Sequence, residues 1–421
     1  LKIPSACLVW MFASYSNLPL IVPPNHGLSP KHVKIGNILM TNNISYFNDT
    51  HEQVRNSIEK FFDKEITPFI NEWEEACEFP REIYTKAGQL GFLGIGYPEV
   101  FGGTGEGDIF MKIAANEAMM KCTSGGLVAS LGSIDIGLPP IVFWGSDELK
   151  EKVIPDVIRG EKICALAITE PNTGSDVANI RTRAVKEGDN YRVNGSKMFI
   201  TSGVRADYYT VAVRTGGDGY SGISLLLIEK GTPGFTVSKK LKKMGWHASD
   251  TAELFFEDCL VPTSNLIGSE NDGFRCITTN FMKERLSLCV MAYMTAQLAL
   301  DEALNYVKQR EAFGRPIGKF QVIRHKLVDM ATEVEIAREF TYRVAAKMQA
   351  KQTPIKEIAM AKNFATEVAE KTTREAVQIF GGMGYMQGSV VERLYRDAKI
   401  LSIGGGTTEI MKEMIAKQMQ L

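Results

Sequence analysis

The sequence has few of the residues, and none of the spacings, that build metal sites or disulfide frameworks. Its 421 residues include 5 histidines and 7 cysteines, and no two cysteines form a Cys-x-x-Cys pair. The histidines show no metal-ligand spacing with one another or with cysteine. An odd cysteine count without paired spacings argues against a disulfide framework and favours a reducing compartment. We therefore expect no metal site.

A charge excess of either sign is also absent. The 48 basic residues balance 49 acidic ones, which leaves a net charge of -1. Nucleic acid or an anionic membrane surface is therefore not an expected partner. The fingerprint of dinucleotide-binding parallel sheets is missing as well. A chain of this length, with 44% apolar residues, can bury the core of two or three domains.

Acidic side chains are missing from residues 1–48, and arginine is missing there too. The apolar run 6–13 is too short to span a membrane as a helix. A signal or transit segment is one interpretation. We favour the other, in which residues 1–39 are an extension outside the fold and Met40 is the natural start. We expect a cytoplasmic, bacterial protein, or a mitochondrial matrix protein if the extension is a transit segment.

The pattern of apolar residues divides the rest of the chain into three parts. From Glu52 onward apolar residues fall at helical spacing, which predicts an N-terminal helical domain over 40–162. Short runs rich in Val, Ile, Tyr, Thr and Phe, separated by turn residues, predict a middle antiparallel β-domain over 163–270. Its predicted strands are 163–169, 190–201, 207–214, 222–229, 235–239 and 252–257. Long apolar stripes with charged faces then predict a C-terminal helical bundle over 271–421. Its predicted helices are 272–312, 319–350, 355–380 and 407–419. No helices alternate with the strands, so the predicted class is α+β rather than a doubly wound sheet.

One segment, Ile168-Thr169-Glu170-Pro171-Asn172-Thr173-Gly174-Ser175-Asp176, offers hydroxyls and backbone N–H groups with little bulk to block a ligand. It resembles the T-E-P-x-x-G-S-D signature of the acyl-CoA dehydrogenase family. Three further motifs match that family in the same order, at 197–201, 310–314 and 378–385. The resemblance covers residues 45–421. It implies bound FAD, oxidation of an acyl-CoA thioester to the trans-2-enoyl-CoA, and transfer of electrons to an electron-transfer flavoprotein. It also implies a homodimer or homotetramer assembled through the C-terminal helices.

The chain departs from most of that family at the catalytic base. Most members carry a Glu one residue before Gly-Thr near the C-terminus, where this chain has Gly405. The long-chain and isovaleryl branches instead supply the base from a helix, in a Glu-Arg-Leu context that matches Glu284-Arg285-Leu286 here. We therefore predict that Glu284 is the base. The alternative is a surface carboxylate paired with a neighbouring cation. The backbone N–H of Gly405 matches the family's hydrogen-bond donor to the thioester oxygen.

The resemblance also assigns the residues that hold the ligands. Ser175 and Arg285 match positions near the thioester and the phosphates of CoA. The residues that match positions against FAD in the same chain are Leu166, Ile168, Thr169, Gly174, Ser175, Phe199, Thr201, Thr407 and Glu409. Those that match positions reaching the FAD of a neighbouring subunit are Arg310, Phe313, Gln321, Gln378 and Gly382.

Three rival functions remain open at this point. Two share the fold: an acyl-CoA oxidase, which is reoxidised by oxygen, and a flavin monooxygenase. A monooxygenase needs no base for an α-proton, so Glu284 counts against it. The third is a non-catalytic protein that binds flavin or an acyl-CoA, which Gly405 favours.

Overall fold

The computed structural model describes residues 46–105 and 107–421. The predicted extension, 1–39, lies outside the described residues, and the predicted domain boundaries stay predictions.

The first described part of the chain is helical. Helix α1 begins after Asn48, whose side chain accepts a hydrogen bond from the backbone N–H of His51 while the His51 ring accepts one from the backbone of Asn48. This reciprocal arrangement satisfies two N–H groups that the helix leaves unpaired. The helices are α1 Asp49–Glu65, α2 Ile70–Ala76, α3 Glu82–Gln89, α4 Ile109–Met120, α5 Gly125–Leu131, α6 Ile134–Gly137, α7 Pro139–Trp144 and α8 Asp147–Ile158.

The middle part is a sheet in the order β6-β7-β3-β2-β4-β5-β8, with β1 paired to β4. Most neighbours are antiparallel, as predicted, but β1 and β2 each run parallel to β4, with Cys164 opposite Tyr208 and Arg183 opposite Arg214. The predicted strands include neither β2 nor β8. The strands are β1 Cys164–Ala167, β2 Arg183–Glu187, β3 Asn190–Thr201, β4 Tyr208–Arg214, β5 Ile223–Glu229, β6 Phe235–Val237, β7 Thr251–Pro262 and β8 Leu266–Ile267.

The last part is a helical bundle in which α10 packs against α11, α12 and α4. The predicted helical stretch 272–312 is divided into α9 and α10, and a small hairpin follows α10. The helices are α9 Gly273–Thr278, α10 Phe281–Gln309, α11 Gln321–Gln349, α12 Ile355–Phe380, α13 Gly382–Tyr385, α14 Val390–Leu401 and α15 Thr408–Gln418; the hairpin strands are β9 Glu311–Ala312 and β10 Arg315–Pro316. The predicted α+β class, with a sheet between two helical parts, is confirmed.

Within the described ranges no single helix is long and apolar enough to cross a bilayer. The segments 125–131 and 134–144 are long and apolar enough only when they are taken together, and they form a pair bent by 45°. Most of their residues are buried.

Candidate active site

Glu284 lies in the first turn of α10, where its side chain lines a cavity of about 240 Å³. The cavity is enclosed by α4, α7, α10 and the end of α11, and residues such as Ile113, Val142 and Val290 give it apolar walls. Burial raises the pKa of the Glu284 carboxyl above its ordinary value, while the nearby cations of Arg285 and Lys362 act in the opposite direction. The cavity therefore has a carboxylate in its wall that holds a proton more readily than one in water.

Gly405 faces this carboxylate from the loop before α15. Its φ of +64° lies in the left-handed region, which glycine adopts without the strain of a side chain. A β-carbon built on Gly405 would lie 2.5 Å from Cδ1 of Leu288 and 3.5 Å from Oε1 of Glu284. A side chain at 405 would therefore displace the end of Leu288 and would lie in ordinary contact with the carboxylate of Glu284. The structure therefore places side by side the predicted base, Glu284, and the predicted hydrogen-bond donor to the thioester oxygen, Gly405.

Three side chains hold the backbone carbonyls of the loop around Gly405. Arg285 donates from Nε to the carbonyl of Gly405 at 3.2 Å, and Lys362 donates from Nζ to the carbonyl of Gly406 at 2.7 Å. Asn363 donates to the carbonyl of Thr408 at 3.1 Å. The N–H of Gly405 itself has no acceptor among the described residues. The loop is therefore held through its carbonyl groups, and the N–H of Gly405 is among its backbone donors that have no acceptor in the described part of the chain.

Lys362 is the residue of this group that sequence reasoning missed. Its side chain is fully buried, and burial lowers its pKa to about 8. A signal was available, because Lys362 lies on the apolar face of α12 with Ile358, Ala361 and Ala365, where a cation needs a partner.

The signature loop and the end of β3 are held side by side. The backbone N–H of Met198 donates to the carbonyl of Thr169 at 2.8 Å. Lys197 donates from Nζ to the carbonyl of Ile168 at 2.9 Å and to Glu170 at 2.8 Å, and both members of this ion pair are buried. The predicted residues Leu166, Ile168 and Thr169 therefore lie beside the predicted residues Phe199 and Thr201.

Phe199 lies exposed near the end of β3, beside the signature loop. It is 62% exposed and has a φ of +63°, at an irregularity in the pairing of β3 with β7. A bulky residue with positive φ is an outlier that calls for a structural or functional reason, and the exposed ring of Phe199 is available to a ligand. A β-carbon on nearby Gly174 would meet no atom within 4 Å, so the loop beside it is open. Ser175 is exposed on the same loop. A flat aromatic surface with hydroxyls at its edge fits a planar ring with polar edges.

Thr407 caps the N-terminus of α15, where its hydroxyl oxygen accepts a hydrogen bond from the backbone N–H of Ile410 at 3.3 Å. The N–H groups at such an end favour an anion. Glu409 lies exposed in the same turn, where the helix N–H groups hold the pKa of its carboxyl below the usual value. A second anion would have to share this turn with that carboxylate, so the structure gives Glu409 less support than Thr407.

The remaining predicted cofactor residues form a separate group at the far end of α10. The ring of Tyr306 stacks on Phe380 with centroids 4.1 Å apart and so joins the end of α10 to the end of α12. Glu284 and Arg310 are 26 residues apart, which corresponds to about 39 Å along the helix. The exposed residues of this group are Arg310, Phe313, Gln321, Gln378 and Gly382.

The two predicted substrate residues differ in their surroundings. Ser175 is exposed, whereas Arg285 is buried, stacks on the ring of Phe281 and holds the carbonyl of Gly405. This placement puts Arg285 beside Gly405, and the contacts of Ser175 and Arg285 with the thioester and with the phosphates of CoA stay predictions. In the ranges that the structure describes, no cluster of His, Cys, Asp or Glu is arranged to hold a metal ion.

Sequence models of three domains match the chain. They are the acyl-CoA dehydrogenase N-terminal domain at residues 48–161, the middle domain at 165–259 and the C-terminal domain at 271–420. An acyl-CoA dehydrogenase of Bacillus subtilis is 42% identical over 87% of this chain and 98% of its own length. The mitochondrial long-chain specific acyl-CoA dehydrogenase of Mus musculus is 41% identical over 88% of this chain and 87% of its own length.

Solved structures agree with these matches. The crystal structure of a probable acyl-CoA dehydrogenase from Mycobacterium abscessus superposes with a TM-score of 0.87 at 49% identity, and covers 89% of this chain and 100% of its own. An acyl-CoA dehydrogenase complexed with FAD from Bacillus anthracis superposes with a TM-score of 0.83 at 31% identity, and covers 89% of this chain and 67% of its own.

Proposed function

This chain belongs to the acyl-CoA dehydrogenase family of oxidoreductases, and we propose that it converts an acyl-CoA thioester into the trans-2-enoyl-CoA with FAD as its cofactor. One observation carries the proposal. Oε1 of Glu284 lies beside the position that Gly405 leaves empty, in the wall of a cavity with apolar sides.

Glu284 would remove the proton from the α-carbon of the substrate. A general base works best when its pKa lies near the working pH, and burial raises the pKa of this carboxyl in that direction. The neighbouring cations Arg285 and Lys362 lower the pKa of this carboxyl and so oppose the larger effect of burial. Their charges also favour the negative charge that grows on the substrate as the proton leaves.

The N–H of Gly405 would donate to the thioester oxygen. Such a donor is effective when it is already aimed at the oxygen before the reaction starts. Arg285 and Lys362 supply that condition, because they hold the carbonyls of Gly405 and Gly406 from the other side. The same two side chains therefore fix the donor and set the charge around the base.

Bound FAD would supply the hydride acceptor, which no side chain can supply. The residues that would hold it are Ile168, Thr169, Ser175, Phe199 and Thr201, with Thr407 at the start of α15. The support is the exposed aromatic Phe199 beside the open loop at Gly174, together with the relative from Bacillus anthracis whose structure is described as an FAD complex.

The assembly and the electron acceptor belong to the same proposal. We propose a homodimer or homotetramer in which Arg310, Phe313, Gln321, Gln378 and Gly382 reach the FAD of a second chain. The exposed apolar residues at this end, among them Phe313 at 95% and Tyr385 at 85%, support a covered surface here. The proposed electron acceptor is an electron-transfer flavoprotein, on the strength of the sequence resemblance.

The test is anaerobic bleaching of the bound flavin by acyl-CoAs of four to eighteen carbons, isovaleryl-CoA included. The wild-type protein should bleach with at least one of them. Glu284→Gln should bind the same acyl-CoA with nearly unchanged affinity and lose turnover by about 10² to 10⁴-fold or more. Glu413→Gln, an exposed carboxylate on α15, is the matched control and should behave like the wild type.

Three results would overturn parts of the proposal. A wild-type protein that binds acyl-CoA without bleaching is a binding protein rather than a catalyst. Glu284→Gln bleaching at the wild-type rate would remove Glu284 from the mechanism. Rapid oxygen consumption without an added acceptor would identify an oxidase.

A further inference from the structure

The cavity beside Glu284 contains a polar pair whose hydrogen-bonding capacity the chain does not use up. Asn116 is 7% exposed, and its amide nitrogen donates to Oγ of Ser287 at 3.4 Å. The amide oxygen of Asn116 receives no hydrogen bond from any described residue, and the hydroxyl of Ser287 donates to none. Both residues line the cavity. The pair therefore presents a free acceptor, the amide oxygen of Asn116, and free donors on both residues, the second amide N–H of Asn116 and the hydroxyl of Ser287.

The other polar groups in this wall mostly serve one another. Lys112 and Asp135 form an ion pair at 2.8 Å, and the hydroxyl of Tyr97 donates to the carbonyl of Ile134 at 3.0 Å and to Asp135 at 3.1 Å. Asn280 donates from its amide nitrogen to the carbonyl of Asp135 at 2.6 Å. These bonds join α4, α6 and α10 and use most of the hydrogen-bonding capacity of the groups that make them. The Asn116–Ser287 bond also joins α4 to α10, but it leaves capacity unused on both residues.

A purely hydrocarbon ligand in this cavity would bury the amide oxygen of Asn116 without a hydrogen-bond partner. A buried polar group costs free energy unless it is hydrogen-bonded, and leucine would fill the same volume at position 116 without that cost. Asn116 and Ser287 therefore suit a ligand that supplies the missing partners. A hydroxyl group can donate and accept at once, and so satisfies both.

The position of the pair fixes where that hydroxyl belongs. Ser287 follows Glu284 by three residues on the same face of α10, which is about 4.5 Å along the helix axis. Glu284 must lie at the α-carbon of the substrate if it is the base. The atoms that pass Ser287 and Asn116 then lie a few bonds further along the acyl chain, beyond the β-carbon.

We propose that this cavity selects an acyl-CoA whose chain bears a hydroxyl a few bonds beyond the β-carbon. The hydroxyl donates to the amide oxygen of Asn116 and accepts from the hydroxyl of Ser287. The location of the chain rests on the proposed function, whereas the preference for a hydroxyl rests on the Asn116–Ser287 pair.

The experiment compares straight-chain acyl-CoAs with the same compounds hydroxylated at each single position from the fourth carbon onward. Dissociation constants are measured on the flavin-loaded Glu284→Gln protein, where binding is separate from turnover, and kcat/KM is measured on the wild type with an artificial acceptor. We expect one hydroxylated position to be favoured by about tenfold or more over the plain chain. Asn116→Leu and Ser287→Ala should each reduce that preference and leave the plain chain bound at least as well.

Val142→Ala is the matched control, because Val142 lines the same cavity from α7; it should change affinity for both compounds of a pair and keep their ratio. Equal affinity for plain and hydroxylated chains at every position would overturn the inference, and would leave the polar pair to an ordered water only. A preference that survives both Asn116→Leu and Ser287→Ala would overturn it too. Plain acyl-CoA that bleaches the wild-type flavin upholds the dehydrogenase proposal in either case, so the two failures are distinguishable.

Discussion

Oε1 of Glu284 lies 3.5 Å from the point where a β-carbon of Gly405 would stand. The two residues belong to different elements, the first turn of α10 and the loop before α15. A carboxylate can therefore be delivered to nearly the same place from either element. The structure also shows the obstacle to doing so from the loop, because Cδ1 of Leu288 lies 2.5 Å from that β-carbon.

We predict that a catalytic carboxylate placed at position 405 works only if the side chain of Leu288 is also shortened. Gly405→Glu added to Glu284→Gln should recover little activity, since Leu288 blocks it and a side chain at a φ of +64° costs about 1 to 2 kcal/mol. Adding Leu288→Ala to that double variant should raise flavin bleaching well above that of Glu284→Gln. Gly405→Ala reports the backbone cost alone. Equal rates for the double and triple variants would show that Leu288 is not the obstacle.

Lys362 should set the pH at which the enzyme loses activity in acid. Its positive charge lowers the pKa of Glu284, so Lys362→Met should raise that pKa further. Because the base must be ionised, the acid limb of the kcat profile should then move to higher pH. The difference between the two proteins should narrow above pH 8, because burial lowers the pKa of Lys362 to about 8 and the wild type loses this charge there. Lys417→Met, on the exposed end of α15, is the control; coincident acid limbs for Lys362→Met and wild type would contradict the prediction.

Removal of one partner of the buried ion pair between Lys197 and Glu170 should lower the unfolding free energy substantially. Lys197→Met leaves Glu170 buried without its cation, although two backbone N–H groups still donate to it. Loss of one partner of a buried pair costs about 3 to 5 kcal/mol of unfolding free energy. Adding Glu170→Gln should recover part of that loss in urea unfolding. Arg192→Met breaks the exposed pair with Glu187 and should cost at most about 1 kcal/mol; a similar loss for both single variants would refute the distinction.

Arg310→Ala should weaken both retention of FAD and assembly of subunits. The exposed guanidinium at the end of α10 is suited to a phosphate group on a neighbouring chain. The measurements are the flavin-to-protein ratio after dialysis and the mass in solution by light scattering. Lys308→Ala, another exposed cation in the last turn of α10, should change neither. An Arg310→Ala protein that keeps full flavin occupancy as a monomer would exclude the shared site.

Much of the fold could be predicted from the apolar pattern. The order of helices, sheet and helices follows from it, and the prediction of a helix over 355–380 coincides with α12. Strand β2 was not predicted, because only Ala184 of its five residues is buried. Its sequence therefore lacks the alternation of apolar and polar residues that identifies a strand. The parallel pairing of β1 with β4 depends on how distant segments meet, and no local pattern encodes it. Helix α14 was also not predicted, although its sequence carries the apolar pattern of a helix. The residues buried at helical spacing are Val391, Leu394, Ala398 and Leu401.

The candidate site also contains residues that motifs predict and residues that only the packing reveals. Glu284 and Gly405 were found through motifs, and their distance required the structure. The buried cation Lys362 and the pair of Asn116 with Ser287 belong to no motif. Their significance lies in which polar atoms lack partners, and that depends on packing between α4, α10, α12 and the loop before α15. A single sequence records such residues only as polar positions on apolar faces.

Helix α10 carries Glu284 at one end and Arg310 just beyond the other, about 39 Å apart. In the proposed assembly each reaction centre then takes its base from one chain and its phosphate contact from another. Genetic defects at these two positions would consequently complement each other. In mixed assemblies of Glu284→Gln and Arg310→Ala chains, some centres would carry both defects and others neither. Two genes that each encode an impaired protein could therefore yield active enzyme when they are expressed together.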